Sequence, residues 1–168
     1  MSARAKSTIN IRIAGLGGTG VIRASDILAD VAFRTGHLVK KAEVHGMSQR
    51  GGSVSTDVRF GQHVLSPMVP AGEADFLVVL AADQVENNRW VLRSGGVMVV
   101  PGNIHEAELA NRKSANVALL GVLSRHLPFP EALWREALQA NLPAPLHAAN
   151  LQAFDVGRRA AAAGIVAA

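Results

Sequence analysis

The stretch that most constrains the fold is Ile9-Asn-Ile-Arg-Ile-Ala-Gly15-Leu-Gly-Gly-Thr-Gly20. Ile9, Ile11 and Ile13 alternate with polar residues, which predicts a strand. Gly15, Gly17 and Gly20 then fall at G-x-G-x-x-G spacing, and from Val21 the period changes. Val21, Leu28 and Ala32 share one helical face and Ile22, Ala29 and Phe33 its neighbour, until Gly36 stops the helix. A strand, a glycine turn and a helix in that order point to an α/β architecture. They also aim backbone N–H groups and the positive end of a helix dipole at one place, a natural phosphate cradle. The same glycines would equally serve a tight turn whose only task is to pack strand against helix.

Further along, residues 37–44 predict a second strand and 45–52 a polar loop. Residues 53–60 and 63–66, separated by Gly61-Gln62, predict an antiparallel hairpin with Val54, Thr56 and Val58 on one face and Ser55, Asp57 and Arg59 on the other. The uninterrupted apolar run 76–82 predicts a strand covered on both faces. Asp83 is expected to cap a helix running through Arg93, ended by Gly95-Gly96, before a buried strand at 97–100 and Pro101. Helical patterns at 115–127, 130–140 and 146–163 close the sequence. The expected fold is therefore a three-layer α/β/α sandwich, a Rossmann-like mixed sheet with a C-terminal helical segment. No repeat or linker divides residues 1–168.

The chain has 168 residues and no cysteine, which excludes disulfides, thiolate nucleophiles and iron–sulfur clusters held by its own side chains. Any electron relay must sit elsewhere. Seventeen basic against 13 acidic residues give +4, but the cations are scattered, and five Phe and two Trp with no Tyr make a poor stacking surface. Nucleic acid is therefore not an expected partner. Apolar runs stay far below the ~18 residues of a membrane span, and no signal-like segment is recognisable, so a cytoplasmic protein is expected. The six His, at 37, 45, 63, 105, 126 and 147, fall at no metal-ligand spacing, and no metal site is expected.

The richest stretch chemically runs from Lys40 to Ser53 and contains every hydrogen-bonding type. Arg50 before Gly51-Gly52 suits an anion, a guanidinium fork beside exposed amides. Glu43 and His45 lie two apart on a strand and share a face, so they form a candidate acid/base pair. A solvated hairpin entry with Arg50 in a surface ion pair is the plain alternative. A dinucleotide site would place an acidic residue about 20 positions beyond the glycines, where this chain has Val39, Lys40 and Lys41; nicotinamide binding is disfavoured. No nucleophile elbow and no Gly-Lys-Ser/Thr phosphate loop occurs.

Taken together, Gly15-x-Gly-Gly-Thr-Gly20 with Ser25 and Leu28, the run from Val39 through His45-Gly-Met-Ser-Gln-Arg-Gly-Gly52 to Val54, Ser66-Pro67 and Gly72-Glu-Ala-Asp75 closely resemble one family. So do Asn116 with Leu120-Gly121, and Asn150-Leu-Gln-Ala-Phe154 with Gly157. The family is that of the small (beta) subunits of indolepyruvate ferredoxin oxidoreductases, a free-standing form of the gamma domain of 2-oxoacid:ferredoxin oxidoreductases. The resemblance spans nearly the whole chain and implies a single gamma-type domain at 1–168. It implies part of an enzyme that decarboxylates arylpyruvates oxidatively to acyl-coenzyme A with thiamine diphosphate. Thiamine diphosphate, magnesium and 4Fe-4S clusters would reside in a large alpha subunit, with ferredoxin taking the electrons. This chain would complete the active-site cleft and hold coenzyme A, through Gly15, Gly17, Gly18, Thr19 and Gly20 and through Ser48, Gln49, Arg50, Gly51, Gly52 and Ser53. Two other classes fit the residues less well. A nucleotide-binding Rossmann-like protein of the ubiquitin-activating type shares the glycine pattern but would need an Asp at the end of the second strand and an Asn-Leu-x-Arg-Gln segment, both absent. A non-catalytic scaffold would use the glycines for packing alone.

Overall fold

The computed structural model describes residues 8–47 and 50–162. Five strands, β1 (Thr8–Leu16), β2 (Leu38–His45), β3 (Ser53–Gly61), β4 (Ala74–Val79) and β5 (Leu92–Val99), form one mixed sheet in the order β2-β3-β1-β4-β5. β3 runs antiparallel to both β1 and β2, whereas β4 is parallel to β1 and β5 to β4. The helices are α1 (Val21–Arg34), the single-turn α2 (Val85–Asn88), α3 (Ala115–Ser124), α4 (Glu131–Asn141) and α5 (His147–Ala162). The expected α/β fold with a mixed sheet and a C-terminal helical segment is the one found. No helix among the described residues is long and apolar enough to cross a membrane.

Strand alternation decides what each face of the sheet holds. Ile11, Ile13, Val58, Phe60 and Val78 point to one face, where the buried sides of α1, α3, α4 and α5 cover them and build the main core. Of the two α1 faces read from the sequence, the one with Val21, Leu28 and Ala32 is buried, while Ile22 and Phe33 on the other are exposed. α3 is buried along nearly its whole length and is crossed by α5 so closely that a Cβ on Gly157 would overlap the Ala118 carbonyl.

The opposite face is covered more thinly, by the chain after β3 and by α2 with its flanking 3-10 turns. Here Asn10, Arg12, Asp57 and Asp75 are buried. Arg12 donates to both carboxylate oxygens of Asp57, 2.6 and 2.9 Å away, directly across the β1–β3 pair. Asp57 also accepts the Val69 amide at 2.9 Å, and the Trp90 ring stacks 5.0 Å from the Arg12 guanidinium.

Two local readings of the sequence are corrected. Residues 63–66 form no strand; the hairpin joins β2 to β3 through residues 46–52 instead, with His45 opposite Val54. After Gly61 the chain leaves the sheet to cover its second face, burying Val69 there. The helix expected from Asp83 to Arg93 is also absent as such. Only α2 is α-helical there, no side chain caps it, and Asp83 lies in a preceding 3-10 turn. Gly95-Gly96 lie inside β5, where pairing advances two residues on β4 for five on β5, and Arg93 in that bulge reaches Asp75 at 2.8 Å.

Candidate functional site

The glycine turn sits where β1 ends. Gly15 still pairs opposite Val54, and Leu16 opposite Ser53. Thr19 closes the turn by donating both its amide, at 3.0 Å, and its hydroxyl, at 2.7 Å, to the Leu16 carbonyl. The Thr19 hydroxyl is therefore held inside the turn, leaving backbone amides as its outward donors. Gly20 is the N-cap of α1 in the left-handed region, with φ 87°, and no side chain caps the helix. The first turn of α1 contains no acidic residue, so its unpaired N–H groups and the dipole keep their positive potential.

The second glycine-bearing segment meets this turn directly. The Gly17 amide donates to the Gly52 carbonyl at 2.8 Å, and the Gly46 amide donates to the Ser53 carbonyl at 2.7 Å, closing the base of the β2–β3 connection. Arg50 and Gly51 are exposed on that connection. Ser48 and Gln49, also expected at the site, lie outside the described residues. Ser53 donates its hydroxyl to the Gln84 side-chain carbonyl at 2.7 Å, and the Gln84 main-chain carbonyl accepts from the Asn88 side chain at 2.9 Å.

Two clefts flank His45. One, of about 310 Å³, is bounded by Gly17, Gly18, Gly20, Arg23, His45 and Val54, so it lies against the N-terminus of α1. The other, of about 190 Å³, is bounded by His45, Gly46, Ser53, Gln84 and Asn88. Arg23, Gln84 and Asn88 stand outside the site that the sequence alone marks. Arg23 could have been placed from helical spacing, three residues past the Gly20 cap. Gln84 and Asn88 carry no such signal, because they arrive through the parallel neighbour β4.

Glu43 and His45 are brought together, with a carboxylate oxygen 3.6 Å from the imidazole Nε2. Glu43 also accepts from Lys41 at 2.8 Å, and Lys41 in turn pairs with Asp26 of α1. The Lys41 hydrogen bond holds the Glu43 carboxyl below its ordinary value. Glu43 is thus an anchored carboxylate that can orient the more than half-exposed His45, rather than a proton donor at neutral pH. The described residues contain no cluster of three or more potential metal ligands. The chemistry this geometry offers is anion binding: amides of two glycine segments tied to each other, a helix N-terminus and the Arg50 cation, with Arg23, whose guanidinium donates to the Asn141 carbonyl at 2.8 Å, adding positive charge at the edge of the larger cleft.

Residues 10–105 match the family model described as pyruvate ferredoxin/flavodoxin oxidoreductase. The chain is 32% identical to the indolepyruvate oxidoreductase subunit IorB of Thermococcus kodakarensis, over 90% of this chain and 95% of that relative. It shares its fold with the 2-oxoglutarate:ferredoxin oxidoreductase from Magnetococcus marinus, solved with 2-oxoglutarate, coenzyme A and succinyl-CoA bound, at a TM-score of 0.81 and 23% identity. That likeness covers 98% of this chain and 32% of the Magnetococcus chain. The gamma subunit of the keto/oxoacid ferredoxin oxidoreductase from Geobacter sulfurreducens has the same fold, at a TM-score of 0.77 and 22% identity over 93% of this chain and 97% of that one. With a family model matched over more than half its length and a relative aligned almost end to end, the chain belongs to the pyruvate ferredoxin/flavodoxin oxidoreductase family, as one subunit of a multi-subunit oxidoreductase complex.

Proposed function

We propose that the chain is the cluster-free small subunit of an indolepyruvate:ferredoxin oxidoreductase, acting in the cytoplasm on arylpyruvates and coenzyme A as a single gamma-type domain. Support comes from its kinship with an indolepyruvate oxidoreductase subunit and from a sequence without a single cysteine to ligate a cluster. Carbanion and electron chemistry would be supplied by thiamine diphosphate, magnesium and iron–sulfur clusters in a large alpha subunit, with ferredoxin as the acceptor. This chain's residues have a different task, to bind and orient an anionic reactant at the shared cleft.

The observation that carries this reading is the Gly17–Gly52 hydrogen bond, which makes the glycine turn and the Arg-Gly-Gly connection one structure. Amides of Gly18 and Gly20 and of Gly51 and Gly52, with the Arg50 guanidinium, would grip the phosphates of coenzyme A or the carboxylate of the oxoacid, while the Gly17 amide is taken up by the Gly52 carbonyl and joins the two segments. Gly15, Thr19 and Ser53 hold these donors in place, and Ser48 and Gln49 belong to the same connection. His45, oriented by Glu43, forms the wall between the two clefts. Purification of the chain from its native host tests the assignment. A large, brown, cysteine-rich subunit should accompany it, and a colourless monomer with its own activity would overturn the proposal.

A further inference from the structure

We propose that the outer edge of β2 is the contact between two copies of this chain, paired antiparallel about Ala42 into a continuous sheet. β2 ends the strand order, and among the described residues no strand pairs with its outer side. It is eight residues long, Leu-Val-Lys-Lys-Ala-Glu-Val-His, and pairs with β3 in unbroken register. An edge this long and regular is a template for another strand unless something blunts it, and charged side chains are the usual device.

Here the charges select a register instead. Two copies related by a two-fold axis normal to the sheet keep their faces aligned, so opposed residues share parity. Centring the pairing on Lys40, Lys41 or Glu43 sets like charges opposite each other on the axis. Centring it on Ala42 puts the smallest side chain on the axis and sets the Lys41–Glu43 ion pair of each copy antiparallel to that of the other, so that each charge, already paired within its own chain, also meets an opposite one across the seam. The same register places Lys40 opposite Val44, and Val44 diagonal to Leu38. Those two apolar side chains, 46% and 58% exposed in the single chain, would cover one another's flanks. The occupant that fits this edge is therefore a second copy, and the pairing would join two small subunits within the complex.

Sedimentation of the full chain over a range of concentrations tests this. The expected species has twice the 17.6 kDa chain mass, and amide protection at residues 38–45 should rise with concentration. Glu43→Lys and Lys41→Glu should each weaken the dimer about tenfold or more. Mixing the two variants should restore it, because one copy then presents lysine at both positions and the other glutamate at both. A wild-type chain monomeric throughout would overturn the proposal, as would a dimer indifferent to both variants. So would protection of 38–45 gained only when the large subunit is added. The exchange measurement uses the unaltered chain and decides the matter even if a variant fails to fold.

Discussion

The Asn116 carboxamide occupies the space that a side chain on Gly20 would need, and its Nδ2 donates to the Gly20 carbonyl at 3.3 Å. The start of α3 thereby fixes the cap of α1, whose first turn faces the larger cleft. Gly20→Ala should be destabilising twice over, by about 1–2 kcal/mol for the left-handed backbone and further for displacing Asn116. Asn116→Ala alone should cost about 1 kcal/mol, because the Gly20 carbonyl keeps the Ala24 amide. Urea titrations of both single variants and the double variant check this. The double variant should be more stable than the sum of the singles predicts, since the overlap is then gone.

The buried Arg12–Asp57 pair gives a second test. Its side chains are 6% and 2% exposed, so removing one partner strands a charge under Trp90 and Val69. Asp57→Ala should destabilise the fold by about 3–5 kcal/mol, and the apolar pair Arg12→Met with Asp57→Leu should recover part of that loss, the remainder being the cost of leaving the Val69 amide without its acceptor. Thermal melts of the single and double variants distinguish this from a surface ion pair, for which neither change would matter greatly.

On the helical face, Glu131 accepts from Arg135 at 2.9 and 2.6 Å and lies 3.0 Å from Arg158, tying α4 to α5. The Arg135 hydrogen bond holds the Glu131 carboxyl below its ordinary value of 4.5. A carboxyl depressed in the folded state stabilises it fully above the unfolded value, and the contribution fades as pH falls through the lowered folded value. Glu131→Gln should therefore melt roughly 1–3 °C below the wild type at neutral pH. Melts repeated at increasingly acid pH should show that gap closing once pH drops below 4.5.

The readable parts of this fold are those whose signal is local. The glycine turn, α1 and the buried run of β4 follow from spacing and periodicity alone, and the faces of β3 are as its alternation predicts. Gly61-Gln62 misleads because it resembles a two-residue turn, whereas the chain beyond it buries Val69 against the far side of the sheet. Gly95-Gly96 misleads for a related reason. A glycine pair that commonly ends a helix here accommodates a bulge set by the parallel neighbour β4, a long-range cause. At the candidate site, the two glycine segments were legible separately from their composition. Their junction through Gly17 and Gly52, and the arrival of Gln84 and Asn88, depend on strand order and could not be read along the chain.

The most direct test of the central claim is the steady-state kinetics of Arg50→Ala in the assembled complex. Loss of a charge-assisted contact to a phosphate or carboxylate should raise the apparent KM for coenzyme A or for the oxoacid by about 10–100-fold. Subunit assembly should be intact, and the reactant affected identifies the anion that Arg50 grips. An assembled variant with both KM values unchanged would contradict the account.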